Sequence, residues 1–344
     1  MESLAGKKVF VGLSGGVDSA VSAALLQRAG ANVTGIFIKG WYPPGMPCTW
    51  AADRRDAMRI AAHLGIPFHT LDASAEYKKG VIEYLRSEYA AGRTPNPDIM
   101  CNREVKFGAF YQFAKEHGAD FIATGHYARA EGGRLLRGID EAKDQSYFLW
   151  AIPKEALARS LFPVGGMPKS AVRVLAQKFD IPVAEKKDSQ GICFLGSISV
   201  DEFLRQEFGT KQGAAIDEAG KEVGTHDGAV LHTLGARIAL ADAAPGPWYV
   251  MRKDVQANIL TVRHGSAETG QTVSAIRLHE ENFFEEIPDA VEAQYRYHGP
   301  RIAGAYDRSA HAFIPAEPLR EPVASGQSLV LYAGDACIGG GIIE

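Results

Sequence analysis

An acid and a thiol lie three residues apart in the segment GRTPNPDIMCNREVKF, residues 92–107. Its two prolines disfavour a regular helix or a central strand, so we expect an irregular loop that carries Asp98 and ends at Cys101. The residues that follow have helical periodicity, which would place Cys101 at a helix N-terminus beside Arg103 and Lys106. A helix N-terminus and nearby cations both stabilise a thiolate. The segment therefore indicates a reactive sulfur, although a small buried cysteine explains Cys101 alone equally well.

A second thiol lies in the segment KKDSQGICF, residues 186–194. Cys193 follows Cys101 by 92 residues, and two cations, Lys186 and Lys187, precede it in the chain. Both thiols lie in polar segments marked by glycine or proline. Two cysteines far apart in sequence can converge as a persulfide carrier and its partner. The pair therefore indicates sulfur transfer, in which one thiol holds a terminal sulfur and the other attacks it.

The segment VGLSGGVDSAVSAALL carries the clearest binding motif. A predicted strand ends at Gly12, a loop of Ser14, Gly15 and Gly16 follows, and a helix begins near Asp18. Small residues allow main-chain N–H groups to approach a phosphate, whose negative charge the helix dipole favours. The lysine of a Walker P-loop is absent. The motif predicts a phosphate site, against the alternative of a glycine-rich turn that only reverses the chain.

The elements that must position these groups alternate along the first part of the chain. Over residues 7–208, apolar runs such as KKVFVGL and NVTGIFIKG alternate with helix-period segments such as DRRDAMRIAAHLG. This alternation is typical of a parallel sheet with helices on both faces, within a first domain over residues 1–208. Residues 209–272 predict a small central β-rich domain, and residues 273–344 alternate as in a C-terminal β-barrel. Further helices are expected near residues 76–91, 153–160, 169–179 and 200–207.

The composition of the 344 residues, 46% hydrophobic and 23% charged, is that of a globular protein. The N-terminus lacks the apolar core of a signal peptide, and no run approaches membrane-spanning length, so we expect a cytoplasmic protein without membrane association. Four cysteines are too few for a disulfide framework and lack zinc-type pairing. Of the other two, Cys337 lies in an apolar sequence typical of a core, and Cys48 is interpreted as structural or incidental.

The net charge of −4 is a weak argument against a nucleic-acid partner. Six acids, however, cluster within one short segment that contains no lysine or arginine: Glu280, Glu281, Glu285, Glu286, Asp289 and Glu292. The rest of the chain is therefore slightly basic, and a local basic face that binds nucleic acid stays compatible with the composition.

The loop S-G-G-x-D-S resembles the pyrophosphate loop of the ATP pyrophosphatases, which adenylate a substrate as pyrophosphate leaves. The sequence also contains, in order, GRTPNPDIMCN, ATGHYA, KDQSYFL, LFPVG, KKDSQGICF and GGGIIE. Together these motifs resemble the bacterial tRNA-specific 2-thiouridylases, the MnmA family, over essentially the whole chain. The resemblance implies an α/β fold with a parallel-sheet ATP-pyrophosphatase domain of the adenine nucleotide α-hydrolase-like kind. Two small β-rich domains would follow, the last of them a β-barrel.

The reaction that the resemblance implies is ATP-dependent 2-thiolation of uridine 34, the wobble position, in tRNAs for Lys, Glu and Gln. It would run through an adenylated uracil and a cysteine persulfide, and AMP and pyrophosphate would be released. The implied cofactors are ATP with Mg²⁺ and a persulfide sulfur from a donor protein. The implied partners are tRNA and a cysteine desulfurase or a sulfur-relay protein.

The resemblance also implies roles for single residues. Cys193 matches the persulfide carrier, Cys101 the nucleophile or resolving cysteine, and Asp98 the acid–base group. The positions that match ATP contacts are Gly12, Leu13, Ser14, Gly15, Gly16, Val17, Asp18, Ser19, Ile38 and Gly125, with Asp18 also a possible Mg²⁺ ligand. The positions that match contacts with the target base or the tRNA are Asn96, Pro97, Asp98, Lys143, Asp144, Gln145, Tyr295 and Arg296. Gln294 stands where the family usually has arginine, which weakens the last of these matches.

Two other functions stay open. An amide-forming ligase of the same superfamily would use the loop at residues 12–19 but would leave both loop cysteines without a role. A non-catalytic tRNA-binding protein would need no thiol pair at all. The sequence does not identify the sulfur donor or the oligomeric state. It also leaves open whether Cys101 and Cys193 are linked at rest, and whether the persulfide attacks directly or hydrosulfide is released first.

Overall fold

The computed structural model describes residues 4–42, 50–187, 193, 198–268 and 272–344. Cys48, interpreted above as structural or incidental, lies outside these residues. None of the helices in the described part of the chain combines the length and the hydrophobicity needed to cross a membrane.

The helices and strands of the described residues follow in chain order. The α-helices are α1 Val17–Arg28, α2 Trp50–Leu64, α3 Ser74–Tyr77, α4 Tyr84–Ala90, α5 Pro97–Met100, α6 Phe110–Glu116, α7 Lys154–Ala158, α8 Lys169–Lys178 and α9 Val200–Phe208. Two π-helical stretches, Lys78–Glu83 and Cys101–Ala109, and two 3₁₀ turns, Ser146–Leu149 and Ala229–Leu231, lie between them. The strands are β1 Lys8–Gly12, β2 Asn32–Lys39, β3 Phe68–Asp72, β4 Phe121–Ala123, β5 Ala128–Glu131, β6 Arg134–Arg137, β7 Ser160–Leu161, β8 Gly213–Ile216, β9 Glu222–His226, β10 Arg237–Ile238, β11 Trp248–Asp254, β12 Ile259–His264, β13 Ile276–Phe283, β14 Val291–Gln294, β15 Ile302–Asp307, β16 Ala312–Pro315, β17 Ser328–Ala333 and β18 Ala336–Ile343.

The first sheet has five parallel strands in the order β3-β2-β1-β4-β7. Successive residues of its central strands point into two separate cores. Phe10 and Ile36 pack on one face, and Val9 and Phe37 pack on the other. A parallel sheet of this kind is buried on both faces, which is why its strands are apolar runs rather than alternating sequences. The predicted parallel-sheet domain is confirmed.

The segment before Cys101 is helical, so the expectation of an irregular loop up to this residue is wrong. Helix α5 begins at Pro97 and continues through the π-helical stretch into α6. The side chain of Asn96 caps it, because its Oδ1 accepts hydrogen bonds from the N–H groups of the second and third helical residues at 3.0 and 3.3 Å. Proline is tolerated at the first helical position, where its missing N–H would have no partner within the helix. Cys101 therefore lies one turn inside the helix and not at its N-terminus.

The second sheet has the order β10-β11-β12-β8-β9 and covers a small core that includes Ala215, Val250, Leu260 and Val262. Strands β11 and β12 are the two strands expected around a polar turn, and they pair antiparallel with Val250 opposite Val262. The predicted β-rich fold of this region is confirmed.

The last sheet closes into a barrel of six antiparallel strands, β13-β16-β15-β14-β17-β18, with β13 pairing back onto β18. This confirms the predicted C-terminal barrel, in which Cys337 is fully buried. The hairpin of β5 and β6 extends the barrel sheet at β18, where Leu135 pairs with Cys337 and Leu136 with Ala336. The sequence did not predict this join between the first part of the chain and the last.

Candidate active site

The glycine-rich turn after β1 brings main-chain groups to the N-terminus of α1. The N–H of Leu13 donates to the carbonyl of Ile36 at 2.8 Å, which holds the turn against the neighbouring strand. Gly15 has a φ of +77°, and a Cβ at this position would lie 2.4 Å from the main-chain oxygen of Asp53. Gly16 is the N-cap of the twelve-residue α1 and makes no side-chain cap, so the first-turn N–H groups face an open loop. This geometry suits an anion such as a phosphate.

Two hydroxyl groups and a third glycine complete the turn. The Oγ atoms of Ser14 and Ser19 lie 3.2 Å apart. Gly125 packs against the same loop, since a Cβ there would lie 2.7 Å from the main-chain nitrogen of Ser19. A Cβ on Gly12 would lie 3.9 Å from Cδ1 of Ile38. The structure thus gathers the residues predicted to contact ATP around one helix end, where Gly15 and Gly125 allow main-chain segments to pack closely.

Asp18, in the first turn of α1, is bound by two residues that sequence analysis missed. The Nζ of Lys169 lies 2.8 and 2.9 Å from the two carboxylate oxygens of Asp18, and the hydroxyl of Tyr127 donates to Oδ1 at 2.8 Å. Lys169 is the first residue of α8, where a cation is disfavoured by the helix dipole. A lysine at such a position is the one local signal that could have indicated a distant partner.

The predicted role of Asp18 as a Mg²⁺ ligand does not fit this arrangement, because an ammonium group already binds both carboxylate oxygens. Across the described ranges, no three His, Cys, Asp or Glu side chains come together in a way that could hold a metal ion.

Lys186, which the sequence placed beside Cys193, contacts the nucleotide loop instead. Its Nζ donates to the carbonyl of Gly15 at 3.1 Å and pairs with Asp53 and Asp56 at 2.9 and 2.8 Å. Two carboxylates of α2 hold this ammonium at the turn. The ammonium therefore lies at the predicted phosphate site and not beside the thiol.

The two cysteines of the sequence motifs converge in space. The side chains of Cys101 and Cys193 are hydrogen-bonded to each other, and both are free thiols. Cys101 is fully buried, whereas Cys193 is partly exposed. Two contacts fix the main chain of Cys193: its N–H donates to Oδ1 of Asp98 at 3.2 Å, and its carbonyl accepts from the hydroxyl of Tyr77 at 2.7 Å. Tyr77 is a further residue that sequence analysis missed.

The surroundings give the two thiols opposite protonation states. The hydrogen bond from Cys101 and the charge of Lys106 lower the pKa of Cys193 from 9.0 to about 7, against the effect of burial. Burial and the neighbouring Cys193 raise the pKa of Cys101 well above its ordinary value. Enclosure also raises the pKa of the Asp98 carboxyl. Near neutral pH, Cys101 is therefore a neutral hydrogen-bond donor, and Cys193 is the thiol that more readily loses its proton.

The expectation that Cys101 would be the stabilised thiolate is wrong, because of where the cations lie. Arg103 turns away and pairs with Glu104 at 2.6 Å and Glu280 at 2.9 Å. Lys106 faces the thiols, and although burial disfavours its ammonium, the charges of the sulfur site raise its pKa overall. Its hydrogen bond goes to Cys193.

The nucleotide loop and the sulfur site are joined by three consecutive residues after β4. Gly125 packs against the main chain of Ser19 in the glycine-rich turn. On either side of it, the Oγ1 of Thr124 and the Nδ1 of His126 lie 2.7 Å apart, and Nε2 of His126 lies 3.5 Å from Nζ of Lys106. Burial and the charge of Lys106 lower the pKa of His126 well below its ordinary value, so its ring is neutral. The two parts of the site therefore share one short segment.

In the segment of Lys143, Asp144 and Gln145, predicted to contact tRNA, the side chains of Asp144 and Gln145 make hydrogen bonds that shape the chain. The carboxylate of Asp144 accepts from Nε of Arg137 at 2.9 Å and from two main-chain N–H groups. The Oε1 of Gln145 accepts from the N–H of Tyr127 at 3.0 Å. Asp144 and Gln145 therefore shape the segment on which a partly buried Lys143 lies.

The predicted tRNA contact of the barrel lies at the end of β14. Tyr295 is buried, and the guanidinium of Arg296 lies 5.5 Å from its ring centre. Arg296 also pairs with Glu321 at 2.7 Å and keeps about half of its side chain exposed. Gln294, where the family usually has arginine, donates through its amide to the carbonyl of Gly299 at 3.0 Å.

Three family models match the chain. They are described as a tRNA methyl transferase HUP domain over residues 7–197, a tRNA methyl transferase PRC-barrel domain over residues 201–264, and an aminomethyltransferase beta-barrel domain over residues 273–343.

Two curated relatives align with almost the full length of the chain. The tRNA-specific 2-thiouridylase MnmA of Escherichia coli O1:K1 is 46% identical over 358 residues, which cover 98% of this chain and 97% of that protein. The protein of the same name from Salmonella arizonae is 45% identical over 357 residues, with the same coverage. Among solved structures, the U34-tRNA thiolase NcsA from Methanococcus maripaludis is 21% identical, covering 53% of this chain and 59% of that chain with a TM-score of 0.36.

Proposed function

This chain belongs to the tRNA-specific 2-thiouridylase family of sulfurtransferases, and from that premise we propose that it replaces O2 of uridine 34 with sulfur in tRNAs for Lys, Glu and Gln, in the cytoplasm. The observation that carries the proposal is the convergence of Cys101 and Cys193 beside Asp98, whose Oδ1 accepts a hydrogen bond from the N–H of Cys193 at 3.2 Å. Sulfur transfer from a persulfide to a carbon requires such a pair, because one cysteine carries the terminal sulfur and the second thiol attacks the persulfide to release it.

The glycine-rich turn supports the ATP-dependent half of the reaction. Ser14, Gly15, Gly16 and Ser19 would hold the phosphates at the N-terminus of α1, where Lys186 binds the carbonyl of Gly15. The O2 of the uracil attacks the α-phosphorus, the bond to the β-phosphate oxygen breaks, and pyrophosphate leaves. The oxygen on C2 then departs as part of AMP, which makes the later displacement feasible.

Cys193 takes up the sulfur from a donor persulfide on a cysteine desulfurase or a sulfur-relay protein. Its thiolate attacks the terminal sulfur, a new S–S bond forms on Cys193, and the donor leaves as its own thiolate. The pKa of about 7 leaves about half of Cys193 as thiolate near pH 7, where an attacking thiol is also close to its best reactivity.

The transfer to uracil can then follow one of two routes. In the first, the terminal sulfur attacks C2, AMP leaves, and Cys101 attacks the inner sulfur, so that the electron pair of the broken S–S bond stays on the new thiocarbonyl sulfur. In the second, Cys101 attacks the persulfide first and the released hydrosulfide attacks C2. Asp98, beside both thiols, would take the proton of Cys101. Both routes end in a Cys101–Cys193 disulfide that an external reductant must reopen.

The remaining predicted positions would bind the tRNA. Asn96, Pro97 and Asp98 form the first turn of the helix that carries Cys101, so a base placed against them would lie close to both sulfurs. Lys143 and Arg296 would contact phosphates, while Asp144, Gln145 and Tyr295 support them. Because phosphate contacts release counterions, the affinity for tRNA should fall steeply with salt.

The experiment that tests the sulfur assignment uses Cys193→Ser and Cys101→Ser, each loaded by a cysteine desulfurase and analysed by mass spectrometry. Cys193→Ser should carry no persulfide and make no thiouridine, yet still support tRNA-dependent formation of AMP. Cys101→Ser should accept sulfur on Cys193 and fail to turn over. A persulfide on Cys101 that is absent from Cys193 would reverse the assignment.

The alternatives differ in a simple readout. An amide-forming ligase would form AMP but hold no cyanide-labile sulfur, and a tRNA-binding protein would do neither. A methyl transferase, the activity named in two of the family models, needs neither ATP cleavage nor a carrier thiol. Labile sulfur on the protein together with tRNA-dependent conversion of ATP to AMP separates thiolation from all three.

A further inference from the structure

A chain of polar contacts leads from the nucleotide side of the site to the carrier sulfur. The Oγ1 of Thr124 lies 2.7 Å from Nδ1 of His126, whose Nε2 lies 3.5 Å from Nζ of Lys106. Lys106 in turn hydrogen-bonds to the side chain of Cys193. Neither Thr124, His126 nor Lys106 belongs to the residues that the family resemblance assigned.

The direction of these hydrogen bonds follows from the chemistry of lysine. An ammonium group has three donors and no acceptor, so the ring nitrogen that faces Lys106 must be the acceptor. Nε2 of His126 therefore carries the lone pair, Nδ1 carries the proton, and Nδ1–H donates to Oγ1 of Thr124. A neutral ring of this tautomer is what burial beside a cation favours.

Packing holds the imidazole in that orientation. The ring centre of His126 lies 5.9 Å from that of Phe107 and 6.0 Å from that of Phe162, and only 7% of the residue is exposed. Phe107 and Lys106 are neighbours in the same π-helical stretch that begins at Cys101. A fixed ring on one side and a fixed helix on the other leave the ammonium of Lys106 a narrow range of positions.

We infer that Thr124 and His126 position Lys106 as the counter-ion of the carrier sulfur, which it holds first as the Cys193 thiolate and then as the persulfide anion. The part of the inference that concerns the persulfide anion rests on the proposed function. Lys106 contacts the reacting sulfur and is a catalytic residue in this scheme, whereas His126 and Thr124 are positioning residues that act through it.

The charge balance of sulfur loading shows what the lysine must do. When Sγ of Cys193 attacks the terminal sulfur of the donor, the negative charge moves one atom outward, to the new terminal sulfur. The donor leaves as a thiolate and takes up the proton that the terminal sulfur carried before the transfer. Lys106 stays protonated throughout, and its positive charge offsets the negative charge of the inner sulfur and then of the outer sulfur.

The groups that face Lys106 could also give it a different role, as a charge partner for Asp98 alone. Asp98 and Cys101 both act on Lys106 electrostatically, besides Cys193. If Lys106 served only Asp98, its removal would leave the reactivity of Cys193 nearly unchanged. The reactivity of Cys193 therefore separates the two roles.

The test measures the rate at which a small neutral disulfide reagent modifies Cys193 between pH 5.5 and 9.5, with peptide mass spectrometry to resolve Cys193 from the other cysteines. In the wild type the rate should rise with a midpoint near pH 7. In Lys106→Met the midpoint should move upward by part of the interval between 7 and 9, since Cys101 still donates to the sulfur, and the rate at pH 6 should fall severalfold. The loss of thiolate is partly offset there by the higher nucleophilicity of a more basic thiol.

Two variants of His126 test the positioning role without removing the lysine, and they decide the question if Lys106→Met does not fold. His126→Phe keeps the ring packing but loses the acceptor, so it should move the midpoint upward. His126→Gln keeps an amide oxygen that can accept from Lys106 and should restore the midpoint toward the wild-type value. A midpoint that stays near 7 in all folded variants would overturn the inference.

The outcome does not depend on the proposed thiolation. The modification assay contains no tRNA, ATP or sulfur donor, so a wild-type protein that fails to thiolate tRNA would contradict the proposed function while leaving the lysine assignment intact. Conversely, normal thiolation with an unchanged midpoint in Lys106→Met would contradict only the inference about Lys106.

Discussion

The main-chain N–H of Cys193 donates a hydrogen bond of 3.2 Å to Oδ1 of Asp98, which lies 95 residues earlier in the chain. This bond ties the segment of the carrier sulfur to the first turn of the helix that holds Cys101. It also places a carboxyl group whose pKa is raised by burial directly beside both sulfurs. A carboxyl of this kind can accept and return a proton closer to neutral pH than an exposed aspartate can.

We predict that the thiol of Cys101 sets the pH dependence of Cys193. Its hydrogen bond is the largest cause of the lowered pKa of about 7, so Cys101→Ala should move the midpoint of Cys193 reactivity toward 9.0. Because the group is a thiol, its reactive form is lost as the pH falls through the midpoint, and the variant should react more slowly between pH 6 and 8. Cys101→Ser retains a donor and serves as the control, with a smaller shift. Equal midpoints in wild type and Cys101→Ala would contradict the prediction.

Gly15→Ala should distort the nucleotide loop. The substitution places a Cβ at a φ of +77° and 2.4 Å from a main-chain oxygen of α2, where no flexible side chain can move aside. We expect a loss of at least about 2 kcal/mol in the free energy of unfolding, measured with denaturant, and a weaker affinity for ATP. Gly166→Ala is the matched control, because its Cβ meets open space and should change both quantities little. Similar effects from both substitutions would argue against a special role for the turn.

Asp18→Ala should abolish the formation of AMP and pyrophosphate while tRNA binding persists. The substitution removes the carboxylate that both Lys169 and Tyr127 contact, so the ammonium of Lys169 would lose its counter-ion beside the phosphate site. Tyr127→Phe removes a single hydrogen bond at the same carboxylate, worth about 1 kcal/mol, and should keep most of the activity. Pyrophosphate release and a tRNA filter-binding assay measure the two effects. Undiminished AMP formation by Asp18→Ala would rule out the role assigned to it.

Thr94, four residues before Asp98, is held by the barrel and by the middle sheet, and we predict that this contact supports the site. Its N–H donates to the carbonyl of Ser325 at 2.8 Å, its carbonyl accepts from Nε2 of Gln327 at 2.6 Å, and its Oγ1 lies 3.3 Å from Nζ of Lys253.

Gln327→Ala should therefore lower the free energy of unfolding by about 1 kcal/mol and reduce the rate of thiolation, because the turn that leads into α5 loses an anchor. Gln177→Ala, which removes an exposed amide that contacts only Glu185 among the hydrogen bonds described, should change neither by a measurable amount. Thermal unfolding and single-turnover thiolation report the two effects. Identical behaviour of the two variants would show that the anchor contributes nothing to the site.

The acidic run over residues 280–292 is partly neutralised by cations from the first part of the chain. Glu280 pairs with Arg103 and Glu285 pairs with Arg134, each at 2.9 Å. Exposed pairs of this kind stabilise little, but they explain how six acids can lie in one short segment. We predict that this run faces away from bound tRNA. Crosslinks from the anticodon stem to it would disprove that arrangement.

Because Arg296 is proposed to contact a tRNA phosphate, Arg296→Ala should weaken tRNA binding. It should also reduce the slope of log affinity against log salt by about 1, as for the loss of one phosphate contact. Arg308→Ala is the control, since Arg308 is an exposed arginine of the same barrel that contacts Ile287 within the acidic run. It should leave the slope unchanged. Equal slopes for both variants would remove Arg296 from the tRNA-binding surface.

The sequence by itself determined the parts of this protein that depend on local chemistry. Strand–helix alternation predicted the parallel sheet, and period-two patterns predicted the barrel. Both are visible in the sequence because the face of an element that is buried sets the spacing of its apolar residues. The loop at residues 12–19 was predictable for a similar reason: a tight turn before a helix requires small residues at adjacent positions. The motifs around Cys101 and Cys193 identified the thiols, although not their charges.

Only the tertiary structure decided how those groups meet. The helix begins at Pro97 because the side chain of Asn96 caps it, and the barrel sheet gains a hairpin from residues 128–137. The pKa of Cys193 is lowered by the hydrogen bond from Cys101 and by Lys106, and the pKa of Cys101 is raised by burial, while Arg103 turns away and Lys186 is held by two carboxylates of α2. The charge state of a side chain depends on every group that packs around it. Those groups come from distant segments, and neither periodicity nor spacing records which of them will face each other.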